Sequence, residues 1–157
     1  MKQEIIDKLP SDVRKEFMKY AIKLDQKKTQ NKVKSDFLTF VKHVWPEFIE
    51  GDHHKKISEK FNRLASGECK RLIINMPPRH TKSEFASYLL PSWMVGRKPD
   101  LKIIQTTHTT ELAIRFGRKA KTLIDSAEYQ QVFKTRLRED SQAAGKWETE
   151  QGGEYYA

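Results

Sequence analysis

At 157 residues the chain is sized for one domain or a piece of one, with enough residues for a single core. Its 30 Lys plus Arg against 21 Asp plus Glu give a net charge of +9 and a pI near 9.6, which favours a polyanionic partner such as nucleic acid. A single cysteine, Cys69, excludes a disulfide framework and a Cys-based metal site, and no apolar run approaches the ~20 residues that span a bilayer. The expectation is a soluble, intracellular protein without a signal segment.

In chain order, Ser11 is placed to cap a helix whose apolar residues Val13, Phe17, Tyr20, Ala21 and Leu24 recur at helical spacing. The lysine-rich run from Asp25 to Lys34 has Val33 as its only apolar residue and reads as a linker or a frayed helix end. Ser35 then caps a second helix that buries Phe37, Phe40, Val41, Val44 and Trp45 before Pro46 ends it. A third helix, from about Asp52, sets His54, Ile57, Phe61, Leu64 and Ala65 on one side and stops at Gly67.

Residues Arg71–Ser83, RLIINMPPRHTKS, carry the chemistry. Leu72, Ile73 and Ile74 suit a strand buried on both faces of a parallel sheet, and Pro77 and Pro78 must end it. From about Lys82 the pattern turns helical, with Phe85, Tyr88 and Leu89 on one face, until Pro91 kinks or ends the helix. Strand, loop, then a helix start bearing a lysine and a hydroxyl is how α/β proteins hold a polyphosphate. We read the segment as a degenerate Walker A loop: Lys82 neutralises the β and γ phosphates and Ser83 offers its hydroxyl to Mg²⁺. Met76 and Thr81 stand where the full pattern has glycines, and a β-branched Thr resists positive φ, so the loop must differ from the standard one. The plainer alternative is that Lys82 and Ser83 simply begin a surface helix.

Leu101–Thr106 reads as a second buried strand. Thr109 or Thr110 then caps a long helix with Leu112, Phe116, Ala120, Leu123 and Ile124 on its inner face. Arg115, Arg118 and Lys119 lie opposite, either as a solvated basic face or near the phosphate site. A second acidic motif is missing: Leu123-Ile124-Asp125 falls at the end of the long helix, so Asp125 is assigned to helix termination. Glu154-Tyr155-Tyr156-Ala157 looks like the start of a strand cut off mid-element.

From about Ser35 to Ala157 the pattern resembles the large terminase subunit of tailed bacteriophages, the motor ATPase that packages DNA into the capsid. The resemblance runs through DFLTFVKHVWPEF, the HHKKI segment, RLIINMPPRHTKSEFASYLLPSW, the strand and helix from Leu101 to Ser126, and DSQAAGKWETEQGGEYYA. Relatives commonly read Pro-Pro-Arg-His-Gly-Lys-Ser, so Thr81 departs from the family pattern. The resemblance implies an α/β fold: a P-loop NTPase-type parallel sheet, incomplete, with flanking helices. Residues 1–34 would be a basic helical amino-terminal extension, and 35–157 the first part of the ATPase domain, truncated before the acidic strand.

It further implies ATP and Mg²⁺ as ligands, held by Pro78, Arg79, His80, Thr81, Lys82 and Ser83. Lys82 and Arg79 take the catalytic positions, Arg79 reaching the γ-phosphate as charge develops, and Ser83 takes the Mg²⁺ position. His80 shapes the loop or touches phosphate. Trp45, Pro46, His53 and His54 match the adenine side, with packing roles as the alternative. Arg115 and Arg118 are candidates for an arginine finger lent to a neighbouring subunit. The partners implied are double-stranded DNA, a portal, a small terminase subunit and further copies in a ring, in the host cell cytoplasm. The acidic motif, the coupling segment and a metal-dependent nuclease would lie beyond Ala157, so residues 1–157 alone are expected to hydrolyse little ATP. The contrasting readings are a non-enzymatic basic DNA-binding or assembly module with a vestigial loop, and another P-loop motor such as a helicase.

Overall fold

The computed structural model describes residues 10–157, apart from the side chain of Gln142; the first nine residues of the expected 1–34 extension lie outside that range. The lysine-rich run expected to be a linker or a frayed helix end is helical throughout. It forms the second half of α1 (Ser11–Ser35), because Lys and Gln cost a helix little and no Gly or Pro interrupts it. Pro10 takes the cap position, so Ser11 is the first helical residue and caps nothing. The stripe expected to be buried stays largely in solvent: Val13, Phe17, Tyr20 and Leu24 are all exposed. Among the described residues α1 docks at its carboxyl end, through buried Val33 and its carbonyl, which accepts from Trp93 Nε1–H at 3.0 Å.

The next helix, α2 (Phe37–Val44), is capped by Asp36 rather than Ser35, which ends α1. The Asp36 carboxylate accepts from Thr39 N–H at 2.7 Å and from Asn62 Nδ2 at 2.9 Å, while Asn62 Oδ1 accepts from Phe37 N–H at 2.8 Å. These bonds tie the start of α2 to α3 (Asp52–Ala65), which ends before Gly67 at φ 82°. Phe37, Phe40 and Val41 are buried as expected, whereas Val44 and Trp45 are only half-buried. Phe37 is the hub of the core. Its ring meets Phe61, Phe85 and Trp93 edge-on with centroids 5.0, 5.5 and 5.5 Å away, each such pair adding about 0.5–1.5 kcal/mol beyond area burial.

Past the loop, α4 (Lys82–Glu84) runs through a π-helical turn (Phe85–Leu89) into α5 (Leu90–Arg97). Pro91 therefore does not end the helix. A regular turn would bring its ring against the carbonyl four residues back and leave that carbonyl without a donor; the widened turn just before it relieves the clash. The long helix α6 (Thr110–Ile124) is capped by Thr109, whose hydroxyl accepts from Leu112 N–H, and Asp125 caps its other end. Its buried face is Ala113, Phe116, Gly117, Ala120, Leu123 and Ile124, which includes the expected Phe116, Ala120, Leu123 and Ile124 and leaves Leu112 at the rim. A short α7 (Ala127–Val132) follows.

Four strands, β1 (Lys102–Ile104), β2 (Leu137–Ala143), β3 (Lys146–Thr149) and β4 (Glu154–Tyr156), form one sheet in the order β1-β4-β3-β2. The fold is α/β, but the sheet is mixed where a parallel one is expected: β1 and β4 run parallel and the other two pairings are antiparallel. The cause is local, since Ala144 and Gly145 form a tight turn that can only fold β3 back on β2. Leu72–Ile74 joins no strand. The stretch is extended, with Leu72, Ile74 and Met76 partly packed on the core and Ile73 86% exposed, so one face is covered where two were expected. Glu154–Tyr156, in contrast, is a paired strand with Tyr155 buried and stacked on Trp147. Among the described residues no helix is long and apolar enough to cross a membrane.

Candidate functional site

The loop sits between the extended stretch and α4, and its backbone is unusual at two positions. Arg79 has φ 64° and Thr81 φ 58°, left-handed values that non-glycine residues seldom adopt. Thr81 is one of the two positions where the Walker pattern has glycine, and it takes a left-handed conformation of the kind glycine enters without steric cost. Phe85 N–H returns to the Thr81 carbonyl at 3.0 Å, which starts the helix there. The N–H groups of Lys82, Ser83 and Glu84 lie in that first turn and have no intrahelical acceptor.

His54 supports the loop from α3. As the third residue of its helix it turns back so that Nδ1 accepts from Gly51 N–H at 2.9 Å, half of a capping box built with histidine. An Nδ1 that accepts leaves the proton on Nε2, and Nε2–H donates to Thr81 Oγ1 at 2.7 Å. The Thr81 hydroxyl in turn donates to the His80 carbonyl at 2.7 Å. Burial holds the His54 pKa below the usual histidine value, helped by repulsion from His53 and His80 and opposed by Glu50. His80 closes its own turn, donating from Nδ1 to the Pro78 carbonyl at 2.8 Å.

His53 lies 3.8 Å from His54 and 5.6 Å from His80, ring to ring, so the fold brings His53, His54, His80 and Thr81 together. Trp45 is not in that group. It meets Phe48 at 5.5 Å, and Phe48 meets His54 at 4.8 Å, while the indole lines a separate groove with Glu84, Tyr88 and Lys119. Arg115 and Arg118 are exposed and line the adjoining groove, sharing Tyr88 and Lys119 with the first. Pro78, Arg79, His80 and Ser83 are exposed and Thr81 and Lys82 half-buried. Among the described residues, Arg79, Lys82, Arg115 and Arg118 take part in none of the ion pairs present, leaving their charges available to an anion.

Two contacts escape a reading by sequence. Lys119 Nζ binds both Glu84 carboxylate oxygens, at 2.7 and 2.8 Å, and lies 5.5 Å from the Tyr88 ring centre, so its charge is neutralised rather than offered to phosphate. The His54–Thr81 bond is the other; its one local signal is Gly51 at a cap position three residues ahead of a histidine. Among the described residues no cluster of three His, Cys, Asp or Glu side chains could hold a metal ion. At the helix start the exposed Ser83 hydroxyl is one hard oxygen of the kind Mg²⁺ prefers.

A scan against protein-family models, a search of curated proteins and a search of solved structures each return no match for this chain. The family resemblance accordingly rests on the motif residues themselves.

Proposed function

We propose that this chain is the ATP-binding portion of a viral DNA-packaging motor, the large terminase subunit, in which ATP hydrolysis drives double-stranded DNA into a capsid. The observation that carries the reading is the left-handed backbone at Arg79 and Thr81, directly ahead of a helix start bearing Lys82 and Ser83. Left-handed residues in such turns aim successive N–H groups to one side and make an anion-binding concavity. In this reading Lys82 neutralises the β and γ phosphates and Arg79 meets charge that develops on the γ-phosphoryl group. Ser83 would bind Mg²⁺, which supplies further neutralisation of the phosphates when bound. Arg115 and Arg118, exposed beside Tyr88, would serve a neighbouring subunit in a ring. Leu72–Ile74, unpaired here, would be the inner strand of a P-loop sheet.

The test is titration of a fluorescent ATP analogue with and without Mg²⁺. Saturable, Mg²⁺-enhanced binding that Lys82→Ala removes is expected; no signal, or the same signal in the mutant, rejects the assignment. A second reading, a basic DNA-binding or assembly module with a vestigial loop, draws on the net charge of +9 and on Lys15, Lys19, Lys23 and Lys27 exposed along α1. DNA binding that weakens steeply with salt, without a nucleotide signal, favours that module.

A further inference from the structure

A threonine is held in a glycine-like conformation here by a side chain from another helix. Thr81 has φ 58° and ψ 9°, a region that β-branched residues avoid, so something must over-determine it. The chain of donors is complete: Gly51 N–H to His54 Nδ1, His54 Nε2–H to Thr81 Oγ1, Thr81 hydroxyl to the His80 carbonyl. The imidazole cannot swing away, because it is 5% exposed and packed with centroids 4.8 Å from Phe48 and 5.0 Å from Phe85. Thr81 is thus pinned on both sides of its hydroxyl, and the pin comes from a residue 27 positions earlier.

We propose that His54 is the positioning residue of the phosphate loop: through Nε2–H and Thr81 Oγ1 it holds the loop in the anion-binding shape that a glycine would otherwise permit. This deepens the ATP-binding reading and rests on it. Without the bond, Thr81 relaxes to right-handed or extended backbone, the N–H groups at Lys82 and Ser83 lose their common aim, and the competent fraction falls. A glycine at 81 makes the bond unnecessary, because it enters the left-handed region at no steric cost.

That dependence supplies the test, read as ATP·Mg²⁺ affinity by isothermal titration calorimetry on the whole chain. His54→Ala and Thr81→Val are each expected to weaken binding by about 5- to 30-fold, the factor set by the left-handed preference of one residue. In a Thr81→Gly background the factor lost on adding His54→Ala should shrink towards one. An equal loss in both backgrounds would mean that His54 only fills space, and overturns the proposal. Should His54→Ala fail to fold, Thr81→Val carries the test, since it removes the hydroxyl and leaves the ring in place; undiminished affinity there also overturns it.

A second measurement separates the two readings: proton NMR of the His54 ring. A slowly exchanging Nε2–H resonance is expected in the unmodified chain and should disappear in Thr81→Val. A chain that shows this proton and binds no ATP refutes the nucleotide site but not the tether. One that binds ATP and lacks the proton refutes the tether but not the site.

Discussion

Gly117 offers a sharp test of how tertiary packing overrides local preference. It lies inside α6, where replacing Gly by Ala ordinarily stabilises by about 1 kcal/mol. The structure reverses that expectation. An alanine Cβ at 117 would stand 2.4 Å from the Ala144 carbonyl oxygen and 3.0 Å from Tyr155 Cε1, because the β2–β3 turn rests directly on this helix. The ring of Trp147 fixes the approach, its Nε1–H donating to the Gly117 carbonyl at 3.3 Å. The nearest obstacle is backbone in a two-residue turn, which cannot rotate aside as a long side chain could. Overpacking of this kind costs about 1–3 kcal/mol, and a backbone clash this short belongs at the upper end. Subtracting the helix gain leaves Gly117→Ala destabilising by about 1–2 kcal/mol. Urea unfolding should show a lower midpoint at an unchanged slope, and a thermal scan a fall of about 2–8 °C. A variant as stable as the parent, or more so, would mean that α6 does not bear on the hairpin as described.

Asp36→Ala should cost about 1–2 kcal/mol by removing the α2 cap and stranding Asn62, measurable as a shift in urea midpoint. Partial burial pushes the Asp36 carboxyl up, but hydrogen bonds from Thr39 and Asn62 outweigh it and hold the group below its ordinary range. Its contribution is therefore complete above about pH 4 and lost as pH falls through the lower folded value, so Asp36→Asn should flatten that part of the acid limb. For His54 the sign is the same but the origin differs, since burial keeps the folded ring neutral while the unfolded one gains a proton below about pH 6.5. Stability should thus be full above that pH and decline below it, and His54→Gln should remove the decline. Phe37→Ala, which empties the centre of four rings, should cost about 3–5 kcal/mol by chemical denaturation, enough to unfold a marginal domain.

What the sequence determined by itself was whatever a few neighbouring residues decide. Helical spacing and stop signals located α3 and its end at Gly67, the Thr109-Thr110 pair marked the start of α6, and the apolar run at 101–106 contained β1, although that strand is exposed at Lys102 and Ile104 where a buried one is expected. Prolines and the Lys-Ser pair marked where the loop gives way to helix, at Lys82. Tertiary structure decided the rest. The spacing of Val13, Phe17, Tyr20 and Leu24 suits a buried face, yet among the described residues nothing covers it, because periodicity says which side is apolar and not whether a partner is present. Leu72–Ile74 has strand composition, but a strand exists only where a neighbour accepts its hydrogen bonds, and none of the four strands of the sheet pairs with it. At the loop, composition alone argued against a left-handed Thr81. The conformation is held by His54, whose ring arrives from another helix and is kept in place by Phe48 and Phe85. Contacts across such distances in the chain leave no local pattern, since each partner's neighbours would look the same without them.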